Sequence, residues 1–262
     1  MSFWREDPDI SYAYTRLRSI YSAANALTTP REERFDFLLM ACADLSRQYR
    51  KGGSNFYAIA VAQVFAWFMS LGEGFFVDEG GEIVARAMSE KYPKDHCGYC
   101  GKLPCECREE ERAQHTLATV SLEQTGWSIL RWQLHLGELY GDVNRRRGVP
   151  RVLNRLFEEV GEVGLILHHA DGFNDPILEL RQKIAREMAD VLAWLFTTAS
   201  LLGVNVQEAV RALYGAGCPV CHSPVCMCRS FEKRPQAGFL THRFMPADEV
   251  QRALEVNLTA PI

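Results

Sequence analysis

The sequence predicts an all-α protein built as two tandem four-helix repeats, each followed by a small four-cysteine loop. Three observations carry this expectation. Helical apolar periodicity fills most of the chain, and no alternating strand pattern of useful length interrupts it. An eleven-residue device with the spacing C-x2-C-x4-C-x-C occurs twice, as "CGYCGKLPCEC" (97–107) and "CPVCHSPVCMC" (218–228), every Cys displaced by 121 positions. An apolar tryptophan run also occurs twice: "QVFAWFMS" (63–70) resembles "DVLAWLFT" (190–197), displaced by 127 positions. The two displacements differ, so loop lengths changed between the copies.

The first repeat, residues 1–110, carries helical pattern over roughly 11–28, 31–51, 54–72 and 79–91. "TTPREE" opens its second helix with a capping pattern, and "KGGSN" separates the second from the third. The second repeat, residues 111–230, carries helical pattern over roughly 112–141, 150–169, 176–202 and 206–214. Gly148 and Pro150 break its first helix from its second. "ADGFNDP" breaks the second from the third, with Asp175 as N-cap and Pro176 at the first helical position. "GVNV" separates the third from the fourth. The tail, 231–262, holds Pro235, Gly238 and Pro246, then a candidate short helix, "ADEVQRALEV".

Composition narrows the function classes. The 262 residues are 47% hydrophobic and 24% charged, an ordinary soluble balance. A net charge of −4 gives no electrostatic reason to expect nucleic acid or an anionic membrane as partner. The N-terminal "MSFWREDPDI" has no apolar signal core, and no run reaches about 18 uninterrupted apolar residues. A cytoplasmic location is the expectation.

Eight of the nine Cys sit in the two clusters: Cys97, Cys100, Cys105 and Cys107, then Cys218, Cys221, Cys226 and Cys228. Zn2+ takes four tetrahedral ligands, often thiolates. A C-x2-C turn with a following C-x-C can close one such site, so two structural zinc ions per chain are expected. Reduced thiols or disulfides are the competing reading. His96 and His222 flank the clusters, but four Cys already suffice. Nucleic-acid-binding zinc knuckles would bring basic residues, and only Lys102 and Arg229 accompany these clusters. The ninth, Cys42, reads as a small buried hydrophobe.

Five acids in the second repeat stand out. In "LNRLFEEVGEVGLIL", Leu156, Val160, Val163 and Leu167 form an apolar face, while Glu158, Glu159 and Glu162 share another sector with Leu165 and Ile166 beside it. In "KIAREMADVLAWLF", Glu187 and Asp190 share a face with Val191 and Trp194. Carboxylates directed into apolar surroundings are costly unless compensated. A hard divalent cation offers that compensation through oxygen ligation. A di-iron bundle would instead carry E-x-x-H pairs, and both second members here are acidic, so Mg2+ or Mn2+ fits better. A solvated polar face with chance spacing is the bland alternative.

These residues resemble the signature of the MazG-like all-α nucleoside triphosphate pyrophosphohydrolases, E-E-x-x-E followed after a variable gap by E-x-x-D. It stands here as Glu158-Glu159-Val160-Gly161-Glu162, a gap of 24 residues, and Glu187-Met188-Ala189-Asp190. The resemblance spans about residues 121–216. It implies Mg2+-dependent hydrolysis of a nucleoside triphosphate to monophosphate and pyrophosphate. Carried over, Glu159, Glu162, Glu187 and Asp190 match the metal ligands, and Glu158 matches the group that orients or deprotonates the attacking water. The chain has no Walker-type loop, so phosphate binding would not come from P-loop chemistry. The family's first helix commonly lines the nucleotide pocket, which makes Trp127, Trp132, Gln133 and His135 candidates, with core packing the competing reading for both Trp. Arg145, Arg146 and Arg147 could meet phosphates or form a solvated loop or helix cap. Asn205 and Arg211 are weaker candidates.

In the first repeat, Met40, Ala41, Ala60 and Gln63 align with Glu158, Glu159, Glu187 and Asp190, and only Asp44, opposite Glu162, keeps an acid. The resemblance implies paired subunits, so the first repeat is expected to act as a covalently attached partner in a pseudo-dimeric bundle. Arg86, Lys91 and Tyr92 are its candidates for reaching the substrate. The alternative function is a non-catalytic, zinc-stabilised nucleotide-binding or interaction protein.

Overall fold

The computed structural model describes residues 4–28, 31–107, 116–169 and 177–228. Among them are eight α-helices and no strand: α1 (Ile10–Thr28), α2 (Arg31–Arg50), α3 (Tyr57–Phe76), α4 (Gly80–Lys91), α5 (Leu122–Thr125), α6 (Ile129–His169), α7 (Ile177–Leu201) and α8 (Val206–Tyr214). The protein is all-α, as its periodicity predicts. Thr29, Pro30, Asp175, Pro176 and the 231–262 tail lie outside the described residues.

The axis of the core is α3. Its sequence is apolar on nearly every side, and α1, α2, α4, α7 and α8 all pack against it. Together with the short 3-10 turn before it, Ser54–Phe56, it is long and apolar enough to cross a bilayer, yet 72% of an apolar 18-residue stretch within it is buried inside the protein. Phe65, Phe68 and Leu71 of α3 meet Ile10 and Ile20 of α1 and Phe196 of α7 in one continuous core. Cys42 joins this core, and burial pushes its thiol up to about 12.

One helix begins later than its pattern suggests. The expected 112–141 helix starts at Ile129. Before it, Ser121 caps the four-residue α5 by accepting from the Gln124 N–H at 3.3 Å, and Gly126 ends that turn. The chain then bridges to the N-terminal segment, where the Ile129 N–H donates to Pro8 O at 3.0 Å.

The expected break at Gly148 and Pro150 becomes a corner within α6. Gly148 takes φ 75° and ψ 161°, a conformation that disfavours any side chain. The first arm of α6 packs toward the loop after α4, and the second arm pairs with α7 and reaches α2. Where α6 crosses α2, a Cβ added at Gly164 would stand 2.3 Å from the Phe35 ring.

Each cysteine loop docks on a helix distant in sequence. The Cys105 N–H donates to Leu139 O of α6 at 2.8 Å, and the Cys226 N–H donates to Ile20 O of α1 at 2.7 Å. The loop that follows α4 therefore closes on α6, and the loop that follows α8 closes on α1.

The crossing at Gly164 yields a stability test. Gly164→Ala is expected to lower stability by about 1–3 kcal/mol through overpacking against Phe35. Gly161→Ala, whose added methyl meets nothing within 4 Å, is expected to raise it by up to about 1 kcal/mol through helix propensity. Urea unfolding of the two variants measures the contrast.

Candidate metal centre and adjoining cleft

The acids meet where α6 and α7 run side by side. One carboxylate oxygen from each of Glu159, Glu162 and Glu187 lies within 4.8 Å of the others. Helical spacing explains this. Glu159 and Glu162 are one turn apart on the second arm of α6, as Glu187 and Asp190 are on α7. Three carboxylates so placed repel one another, and partial burial deprives Glu159 and Glu187 of water while Glu162 is exposed. Burial first, then the charges of Asp190 and Glu162, raise Glu159 to about 8. Burial likewise raises Glu187 to about 7, against the lowering influence of Lys91. A divalent cation would relieve both causes, and the all-oxygen donor set suits Mg2+ or Mn2+.

Asp190 is held differently. The Lys91 ammonium pairs with one of its oxygens, and the Tyr92 hydroxyl donates to the other. Both partners come from the C-terminal end of α4. Lys91 also reaches Arg186 O at 3.4 Å. Tyr92 is fixed through its neighbours. The Gln124 amide donates to Tyr92 O at 3.0 Å, and His135 Nε2 meets Pro93 O at 3.1 Å. Burial, then the Asp190 charge, holds the Tyr92 hydroxyl protonated far above its usual range, so it remains a donor. Burial also lowers His135, which favours the neutral ring in this structural position.

Beside the acids lies a cleft of about 270 Å³ lined by residues from four segments. Tyr92 comes from α4's end, Tyr99 from the first cysteine loop, and Tyr140, Asn144 and Arg147 from the first arm of α6. Arg155 and Glu159 come from its second arm, and Asp190, Trp194 and Thr197 from α7. The Trp194 indole donates to Glu159 Oε1 at 3.2 Å. The Arg147 guanidinium lies 5.9 Å from the Trp194 ring centre and donates to Asn144 Oδ1 at 3.0 Å. The cleft thus offers aromatic surface, two guanidinium groups and acids at one end.

Several sequence candidates fall elsewhere. Trp132 is wholly buried in the core, packed against Trp127 and His135. The Gln133 amide is occupied by Val204 O at 2.7 Å, Ser200 Oγ at 3.1 Å and the Val206 N–H at 3.0 Å. Asn205 caps α8 by accepting from the Glu208 N–H at 3.2 Å, and Arg211 pairs with Glu208 on the same helix. None of these six residues lines the cleft. Glu158 is exposed and pairs with Arg155 at 2.5 Å, outside the three-carboxylate cluster. Leu165 is 61% exposed, so it does not mark an apolar setting for the acids. Arg86 faces a separate groove between α4 and α7. Arg147, for which a solvated loop or helix cap is the favoured expectation over a phosphate contact, lines the cleft.

In the aligned positions of the first half, Ala41, Ala60 and Gln63 are buried, and Asp44 pairs with Arg47 and accepts from the Gln48 amide at 3.3 Å. No metal-ligating cluster forms there among the described residues.

The two cysteine clusters are compact. In each, four sulfurs lie within 4.8 Å of one another. Cys97 and Cys107 Sγ are 3.9 Å apart, close to the roughly 3.8 Å edge of a tetrahedron with metal–sulfur bonds of about 2.3 Å. Backbone N–H groups of Tyr99, Cys107 and Met227 donate to Cys97, Cys105 and Cys221 sulfur at 3.3–3.4 Å. Both clusters can bind a metal such as zinc.

Comparisons with family models, with curated proteins and with solved structures find no match to this chain.

Two outcomes follow from these sites. Metal analysis of purified protein is expected to give two zinc ions per chain. The acid cluster should make stability pH-dependent. Glu159 and Glu187 are raised from 4.5 to about 8 and about 7, so the folded state holds protons that the unfolded chain releases. Their stabilisation is complete below about pH 4.5 and is lost as pH rises through about 7 to 8. Unfolding midpoints in Mg2+-free buffer should therefore fall between about pH 5 and 8, and added Mg2+ should restore more stability at the upper end than at the lower.

Proposed function

We propose that the chain is a Mg2+-dependent nucleoside triphosphate pyrophosphohydrolase of the MazG-like kind, releasing monophosphate and pyrophosphate. The observation that carries this reading is the Glu159, Glu162 and Glu187 cluster, within 4.8 Å and adjoining Asp190, at the end of an aromatic and cationic cleft. Acids alone would not suggest a nucleotide. Acids beside Trp194, Tyr140, Arg147 and Arg155 do, because a nucleotide brings a planar ring and a polyphosphate together.

Bound at these four carboxylates, Mg2+ or Mn2+ would neutralise triphosphate charge and lower the pKa of a ligated water. The chain's own groups supply the rest. Arg147 and Arg155 meet phosphate oxygens. Trp194 holds Glu159 in place through its indole N–H. Lys91 and Tyr92 hold Asp190 and thereby its ligating oxygens. Glu158, placed by the resemblance as the water-orienting group, takes the proton as water oxygen bonds to the α-phosphorus and the pyrophosphate oxygen leaves. To do so it must part from Arg155, which is then free for phosphate.

The tandem organisation belongs to the same proposal. Residues 1–110 act as a built-in partner for residues 111–230 in a pseudo-dimeric bundle. The matched bonds Cys105 to Leu139 and Cys226 to Ile20 support it, each joining a cysteine loop to the other repeat's first long helix. So do Lys91 and Tyr92, which reach Asp190 from the half that lacks acids.

One observation favours the alternative of a non-catalytic nucleotide-binding protein. The Lys91 ammonium already balances Asp190 without a metal. Turnover separates the readings. A panel of ribo- and deoxyribonucleoside triphosphates with Mg2+ or Mn2+ is expected to give pyrophosphate release. Glu159→Gln and Asp190→Asn should each lower kcat by at least about a hundredfold with unchanged helical circular dichroism. Nucleotide binding without pyrophosphate release from any member of the panel selects the alternative.

A further inference from the structure

The two cysteine clusters share spacing, burial pattern and docking mode, yet their surroundings differ. Each faces a partly buried tyrosine from the helix it docks on. Tyr140 of α6 stands by Cys97, and Tyr21 of α1 stands by Cys218. Both hydroxyls are buried and lack a hydrogen-bond partner of ordinary geometry. A metal-bound thiolate is a better acceptor than a thiol, and outer hydrogen bonds of this kind orient metal ligands. Both tyrosines are therefore suited to a filled cluster.

Beyond that point the likeness ends. Tyr21 packs edge-on against Tyr214, with ring centres 6.1 Å apart, inside the core. Tyr140 has the cluster on one side and the acid cleft on the other. It lines that cleft and meets Tyr92 edge-on, with ring centres 6.2 Å apart. Cys97 and Cys105 form a small core of their own with Leu139 and Val143 of the same helix. The first loop also sends Tyr99, between two of its cysteines, to the cleft's edge, where it is 40% exposed. The second loop contributes nothing to the cleft's lining.

We propose that the first cysteine cluster, holding a thiolate-bound metal, forms a wall of the acid cleft and sets Tyr99 and Tyr140 against the aromatic ring of a bound nucleotide. The second cluster serves the fold alone. The nucleotide part rests on the pyrophosphohydrolase reading. The wall itself does not.

The test compares matched losses in the full chain. Cys100→Ser and Cys221→Ser remove corresponding ligands, and each should leave one zinc in place of two. Acrylamide quenching of Trp194 fluorescence, taken as the difference from matched Trp194→Phe proteins, should rise with Cys100→Ser and stay unchanged with Cys221→Ser. Equal quenching in the two variants overturns the proposal. Should Cys100→Ser fail to fold, Tyr99→Ala leaves every metal ligand in place. It should raise KM for the nucleoside triphosphate about five- to hundredfold, the range of a lost base–aromatic stack. Its kcat should stay within about twofold, and Tyr99→Phe should restore KM. An unchanged KM in Tyr99→Ala overturns the proposal's nucleotide part. The quenching contrast needs no nucleotide, so it decides the wall even where wild-type protein turns over no triphosphate and the hydrolase reading falls.

Discussion

Like charges crowded at a half-buried helix seam repel one another, and the structure around Asp190 is organised by that repulsion. Glu159, Glu162 and Glu187 converge within 4.8 Å, with Asp190 one turn beyond Glu187. The chain answers with a cation and a donor from α4, so that Asp190 is neutralised by Lys91 and hydrogen-bonded by Tyr92. Charge balance is then only partial. Glu159 and Glu187 remain raised and favour protons in the absence of metal. A divalent cation bound there would displace those protons.

The rest of the fold serves to bring α4 to that seam. The apolar helix α3 holds α1, α2, α4, α7 and α8 around one axis. Gln124 and His135 then fasten the segment just after α4, which fixes where Tyr92 points. The α2–α3 pair carries no matching acid cluster among the described residues. Ala60 and Gln63, aligned with Glu187 and Asp190, lie buried, where a carboxylate without compensation would be strongly disfavoured.

Much of this was legible in the sequence. Most helix positions, the Gly148 break and the facing of Glu159, Glu162, Glu187 and Asp190 follow from spacing, whereas the late start of α6 at Ile129 does not. Lys91 and Tyr92 were legible only as candidates, because their reach depends on how α4 packs on α7. The aromatic and polar candidates were less legible. Trp132, Gln133 and Asn205 are residue types that nucleotide sites use, but the same chemistry fills cores, ties loops and caps helices. Only tertiary contacts decide between those uses. Leu165 misled for a related reason, since one exposed leucine beside acids is ordinary on a helix. Tyr99 carried a signal in its position between two cysteines, but nothing in the spacing says which way that loop turns.

The corner at Gly148 has a geometric consequence. Arg147 and Glu159 are twelve residues apart, and a straight helix would separate them by about 18 Å along its axis. Both line one cleft. The left-handed turn of a single residue therefore converts length along one helix into two walls of the same recess. The angle between those two walls is set at Gly148, which is not itself among the residues that line the recess.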